Sequence, residues 1–132
     1  MAGFGGTWVL ARSENFEEYM KGMGVGTVMR KAASVLTPTC EVTQDGDDFE
    51  IKMMVPLKTV VQKFKIGEPF EDMSPTGEMR KMVATWEDGK LAFDEVEQRE
   101  VHHRITREIV GNEMVMTCVI GDVVCKRIFK RK

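Results

Sequence analysis

The chain lacks the residues and patterns that most functional classes require. Among 132 residues there are only three cysteines, two histidines, four prolines and one tyrosine. Cys40, Cys118 and Cys125 make no CxxC pair and stand at no Cys/His spacing that suits a metal, so no metal site is expected. No phosphate loop, dinucleotide fingerprint or nucleophile elbow is present, so no cofactor is expected either. The acidic stretch Asp45-Gly46-Asp47-Asp48 lacks the loop length and final glutamate of a calcium-binding hand and reads as a polar turn. No apolar run is long enough to span a bilayer. The opening residues, Met1 to Gly6, carry neither a basic n-region nor a long apolar segment, so no signal peptide is expected. Ala2 stands where the myristoylation pattern needs glycine. Net charge is −2 with a pI near 5.8, and no polybasic tract points to nucleic acid. The short basic end, Lys126 to Lys132, reads as a solvated terminus. No linker, low-complexity tract or repeat divides the chain, which is expected to form one domain over residues 1–132.

What the sequence does contain is a regular train of turns. Asp45-Gly46, Ile66-Gly67, Pro75-Thr76-Gly77, Asp88-Gly89, Gly111-Asn112 and Gly121-Asp122 recur at intervals mostly near ten residues or multiples of it. Between them lie runs with strand character: 39–44, 49–55, 59–66, 79–86 and 90–96, then 101–109, 113–120 and 123–129. Many short strands at this spacing predict an antiparallel sandwich or barrel. The first third differs. Gly6 to Ala11 reads as a strand. Asn15-Phe16-Glu17-Glu18 reads as a capped helix start, running to about Met23 and stopping at Gly24. A second short helix is expected from about Thr27 to Leu36, ended by Thr37-Pro38. The apolar residues of the two helices, Phe16, Met20, Met23, Val28 and Val35, are expected to pack down, and the basic Lys21, Arg30 and Lys31 to face outward.

Two arginines fall on the apolar side of their strands. In 101–109 the odd positions, Val101, His103, Ile105, Arg107 and Ile109, form the drier face. In 123–129 the odd positions, Val123, Cys125, Arg127 and Phe129, do the same. Gly111-Asn112 and Gly121-Asp122 read as two-residue hairpin turns with glycine first. Counting back from them sets Arg107 opposite Met116 and Met116 opposite Arg127, one row across three strands, with the arginine backbones about 10 Å apart. Such a pair suits a carboxylate, whose geometry matches the guanidinium fork. A slip of one residue in either hairpin would turn an arginine outward, where pairing with a glutamate is the ordinary outcome. The same register sets Cys118 opposite Cys125, two small buried thiols or, in an oxidising setting, a bridge. His102 and His103 face opposite sides of their strand, so they do not share one site, and His103 reads as a satisfied interior histidine. No acid, base or nucleophile is placed beside the arginine row, which suits anion binding rather than turnover. Eleven methionines add adaptable apolar volume.

The stretches Gly6-Thr7-Trp8-Val9-Leu10, Glu14-Asn15-Phe16-Glu17-Glu18-Tyr19-Met20, Gly24-Val25-Gly26, Phe64-Lys65-Ile66-Gly67-Glu68, Asp88-Gly89-Lys90-Leu91 and Gly121-Asp122-Val123-Val124-Cys125-Lys126-Arg127-Ile128 resemble the intracellular lipid-binding proteins. This is the fatty-acid-binding protein family, which includes cellular retinoid carriers, and the resemblance spans the chain. It implies a ten-stranded antiparallel up-and-down β-barrel of calycin type, a helix-turn-helix lid between the first two strands, and an internal cavity. In the family's fatty-acid and retinoic-acid binders the carboxylate is held by two arginines and a tyrosine. Arg107 and Arg127 match the arginines, and Phe129 replaces the tyrosine. Leu57, after Pro56, occupies a portal position that is often phenylalanine. Retinol carriers generally place glutamines at the two arginine positions, so the arginines imply an anionic guest.

The resemblance implies a cytosolic, monomeric carrier of long-chain fatty acids and not an enzyme. Phe16, Met20, Val28, Leu57, Ile105, Met116, Cys118 and Phe129 are expected to line its cavity. The portal would lie between the helices and the turns near Leu57 and Thr76. A carrier of retinoic or bile acid is the alternative within the family. A membrane-interacting structural or signalling protein is the alternative outside it. Lys21, Arg30 and Lys31 match a basic patch that implies transient membrane contact and, in some members, nuclear entry.

Overall fold

The computed structural model describes residues 3–56, 58–97 and 99–132; Leu57 lies outside them. The elements run β1 (Gly6–Glu14), α1 (Phe16–Gly22), α2 (Thr27–Ser34), β2 (Thr39–Asp45), β3 (Asp48–Val55), β4 (Lys58–Lys65), β5 (Phe70–Met73), β6 (Met79–Glu87), β7 (Lys90–Glu95), β8 (His103–Val110), β9 (Glu113–Ile120) and β10 (Val123–Arg131). All ten strands belong to one antiparallel sheet ordered β4-β3-β2-β1-β10-β9-β8-β7-β6-β5. The pairing of β1 with β10 wraps the chain's two ends together, giving a nearly closed barrel with β4 and β5 as its two edges. Side chains bridge those edges. Gln62 Nε2 donates to Asp72 Oδ2 at 3.1 Å, and Phe64 stacks on Phe70 with centroids 5.1 Å apart.

The hairpin turns behave as their residues require. Gly111 and Gly121 have φ of 63° and 57°, while Asn112 and Asp122 keep negative φ, the pattern of a turn with glycine at its first central position. Val110 consequently faces Glu113, and Ile120 faces Val123. Alternation then carries each inner face. Met114, Cys118 and Ile120 of β9 and Cys125, Arg127 and Phe129 of β10 are buried.

The interior divides into two apolar regions. The larger holds Phe4, Trp8, Phe49, Phe64, Phe93, Met114 and Phe129. The smaller joins the lid to the barrel through Tyr19, Met20, Met23, Cys118, Ile120 and Cys125. Gly22 permits that seat, because a Cβ there would come within 2.7 Å of Ile120 Cγ2.

Several expectations are corrected. Asn15 does begin α1, but in a left-handed conformation (φ 59°) and without a side-chain cap; its amide donates to the Val124 carbonyl at 3.1 Å instead. Tertiary docking of the helix start has replaced the local cap. Helix α2 ends at Ser34. Its Val28, and Val35 just past its end, do not pack down: they are 81% and 79% exposed. Val101 lies outside β8 and is exposed. The short strand β5 escapes pattern reading, because its four residues are too few to establish a period.

Candidate ligand-binding cavity

The arginine row forms as the turns dictate, with Arg107 opposite Met116 and Met116 opposite Arg127. Both arginines are buried, at 4% and 9% exposure. Their surroundings differ. Among the described residues the Arg107 guanidinium meets sulfur: Nη1 lies 3.9 Å from the Met114 sulfur, the Cys40 thiol is near enough to feel its charge, and Nε has no hydrogen-bond partner. Arg127 is better held. Its Nε donates to Ser13 Oγ at 3.1 Å, and its guanidinium lies 3.6 Å from the centre of the Phe16 ring. Burial pulls the Arg127 pKa down, since desolvation disfavours the charged form.

A cavity of about 290 Å³ lies against this row. Ile51, Met53, Met82, Phe93, Ile105 and Met116 supply apolar wall, and Arg107 supplies a cation. Of the residues expected to line a cavity, Ile105, Met116 and Arg107 do so. Phe16 covers Arg127 instead, and Met20 and Cys118 belong to the contact between lid and barrel. Phe129 is fully buried in the larger apolar region. Val28 is corrected: its exposure takes it out of any interior wall.

Sequence reasoning missed the polar part of the wall. Tyr19, Gln62, Asp72, Arg80 and His103 also line the cavity. The Tyr19 hydroxyl and His103 Nε2 are 2.8 Å apart. His103 Nδ1 faces Glu95 Oε2 at 3.6 Å, so the tautomer with its proton on Nδ1 accepts the Tyr19 hydroxyl at Nε2. Burial pushes the Tyr19 and Asp72 pKa values up and that of His103 down. The signal available was parity: Arg80 shares its face with Met82 and Ala84.

Cys118 and Cys125 face each other as free thiols. Their mutual hydrogen bond, together with burial, pushes Cys118 well up, and the same bond draws Cys125 down. In the lid, Lys21 and Lys31 are exposed, but Arg30 is not free to face outward. It donates from Nη1 to the Val25 carbonyl at 2.6 Å and from Nη2 to Thr27 Oγ1 at 3.2 Å.

An antiparallel barrel that walls off a cavity and keeps cations inside it has the form of a small-molecule binding protein. The profile of the lipocalin / cytosolic fatty-acid binding protein family matches residues 5–132. Sodium/calcium exchanger regulatory protein 1 of Doryteuthis pealeii is 40% identical over 98% of this chain and 97% of its own. Cellular retinoic acid-binding protein 1 of Gallus gallus is 37% identical over the whole of both. Among solved structures, the REP1-NXSQ fatty acid transporter superposes with a TM-score of 0.89 at 38% identity, covering 97% of this chain and 95% of that one. The chain belongs to the lipocalin / cytosolic fatty-acid binding protein family. That family consists of lipid-binding carriers. No helix among the described residues is long and apolar enough to cross a membrane.

Proposed function

We propose that this protein carries a single long-chain fatty acid or a related carboxylate lipid, with the carboxylate at Arg107 and Arg127. The observation that carries this reading is Arg107 itself. A guanidinium 4% exposed, on a cavity wall, with the sulfurs of Met114 and Cys40 as its partners among the described residues, is costly unless an anion completes it. Arg107 makes the direct contact in this reading. Arg127, covered by Phe16, contributes field and joins the contact when Phe16 moves aside. Apolar burial supplies most of the affinity, at roughly 0.8 kcal/mol per buried CH₂. A volume of about 290 Å³, at the low end for ligand pockets, favours one guest over two.

The guest enters between the lid and the β5–β6 turn, where Gly24 lies beside Thr76. Leu57, the other residue assigned to this portal, lies outside the described residues. Lys21 and Lys31 are the lid cations available for transient contact with anionic membranes or for nuclear entry. The protein acts as a monomer in the cytosol.

Retinoic acid is the second reading, favoured by the whole-length identity to a cellular retinoic acid-binding protein. Titration of a fluorescent fatty acid, with competition by oleate, retinoic acid, retinol and a bile acid, separates the two. Arg107→Ala is expected to weaken every carboxylate at least tenfold and Arg127→Ala by less. Equal affinity in wild type, both single variants and the double variant overturns the head-group assignment.

A further inference from the structure

The polar residues of the cavity wall, with Glu95 behind them, form a collar. Strands β4 to β8 each contribute one inward side chain near a common level: Gln62, Asp72, Arg80, Glu95 and His103, and the lid adds Tyr19. Asp72 is the direct cross-strand partner of Arg80, and Glu95 is that of Met82, two residues along β6 from Arg80. The links run Gln62 to Asp72 at 3.1 Å, Arg80 Nη1 to Glu95 at 3.6 Å, Glu95 to His103 at 3.6 Å and His103 to Tyr19 at 2.8 Å. Gln62 and Asp72 are half-buried and the inner members are well buried. Side-chain exposure is 12% for Arg80, 7% for Glu95 and 5% for His103.

The collar is incompletely satisfied. Two of its links, at 3.6 Å, exceed hydrogen-bond length. Arg80 Nε and His103 Nδ1 make no hydrogen bond among the described residues, although Glu78 Oε1 ion-pairs with Arg80 Nε at 3.4 Å. A cavity built only for a hydrocarbon tail gains nothing from such a wall, since buried polar groups cost free energy unless paired. The collar is centred away from the arginine row, although Asp72 lies near enough to Arg107 to feel its charge. His103 and Arg107 are four residues apart on β8, a span of about 13 Å at the strand rise. The two polar zones therefore address different points along one extended guest.

We infer that the collar is a second binding subsite, which takes a neutral oxygen-bearing group, a hydroxyl or ketone, carried on the chain of the lipid whose carboxylate sits at the arginines. This rests on the carboxylate-carrier reading above. Charge decides the kind of group. Glu95 is shared between Arg80 and Arg99, whose Nε donates to its Oε1 at 2.7 Å, and Asp72 stands opposite Arg80, so two cations meet two carboxylates and the collar offers hydrogen bonds without a net positive charge. It accepts a hydroxyl or ketone and disfavours a second carboxylate. The preferred guest is thus an oxygenated fatty acid, not a dicarboxylic one.

Isothermal titration of the wild-type protein with stearate, a mid-chain hydroxystearate, palmitate, ω-hydroxypalmitate and hexadecanedioate tests this. At least one hydroxy acid is expected to bind as tightly as its parent or up to about tenfold tighter, the worth of one hydrogen bond. The dicarboxylate is expected to bind more weakly than either. Both hydroxy acids binding more weakly than their parents, as an apolar wall would impose, overturns the subsite. A second measurement uses the paired substitution Arg80→Met with Asp72→Asn, which removes both charges of the cross-strand pair, keeps a side-chain oxygen to accept from Gln62 and leaves Glu95 with Arg99. The hydroxy-to-parent affinity ratio is expected to fall about fivefold or more, and an unchanged ratio overturns the inference. Parent acids that bind while hydroxy acids are penalised sink the collar alone. No binding by any of the acids sinks the carrier reading and the collar with it.

Discussion

Tyr19 of the lid and His103 of strand β8 meet hydroxyl to imidazole at 2.8 Å, across 84 residues of sequence. The contact is the buried polar tie between helix α1 and the barrel wall, within an otherwise apolar seat of Met20, Met23, Cys118 and Ile120. Replacing Tyr19 by Phe keeps the ring and removes the hydroxyl, leaving His103 Nε2 without its partner. A loss of about 1 kcal/mol in urea unfolding is expected, with faster amide exchange in α1 than in β9. Unchanged exchange in α1 would show that the apolar seat alone holds the lid.

His103 also makes stability depend on pH. Its folded pKa lies below the ordinary value of 6.5, with burial as the main cause and Arg80 and His102 adding to it, while Glu95 opposes. The unfolded chain therefore binds the proton first as pH falls. The stability due to neutral His103 is complete above pH 6.5 and declines as pH drops below it toward the folded pKa. Asp72 acts in the opposite sense: its pKa is raised from 3.8 by burial, so protonation favours the fold in a window reaching down to that value. Thermal melts from pH 7.5 to 5 should show a falling Tm in wild type and a flatter profile in His103→Gln. Equal slopes would remove His103 as the cause.

Arg107 sets stability against binding. Its guanidinium is 4% exposed and almost without partners, so Arg107→Met is expected to stabilise the ligand-free protein by about 1–4 kcal/mol while weakening carboxylate binding. Arg127→Met should stabilise less, because it removes the Ser13 hydrogen bond and the contact with Phe16. Denaturant unfolding without lipid and titration with lipid give the two readouts. A destabilised Arg107→Met would mean that the cation is already satisfied.

Phe129 is fully buried opposite Met114. In Phe129→Tyr the new hydroxyl enters the inner face two residues from Arg127. Carboxylate affinity is expected to rise about threefold to tenfold, with ligand-free stability falling by about 1–3 kcal/mol from the unpaired hydroxyl. Gain in affinity without loss of stability would indicate that the hydroxyl already has a partner in the empty barrel.

Much of this molecule was legible in the chain because two features are local. Two-residue turns at Gly111-Asn112 and Gly121-Asp122 set the register of β8, β9 and β10, and alternation then set which residues face inward. Cys118 opposite Cys125 followed from the same count. Local patterns misled where tertiary contact outweighed them. Asn15 carries the signature of a capping residue, but its amide is taken by Val124. Arg30 carries the signature of a surface cation, but its guanidinium closes the turn between α1 and α2. Val28 is apolar on a helix, yet α2 stands off the barrel and buries none of its residues.

The sequence by itself determined the antiparallel strands, the inward arginines and, through its motifs, the family. Only the tertiary structure decided that Arg107 opens on the cavity while Phe16 covers Arg127. It alone brought Gln62, Asp72, Arg80, Glu95, His103 and Tyr19 to one level. The reason is range. A turn fixes its two flanking strands through backbone geometry. A collar drawn from five strands and a lid exists only once the whole barrel has closed and each register has been compounded with the next.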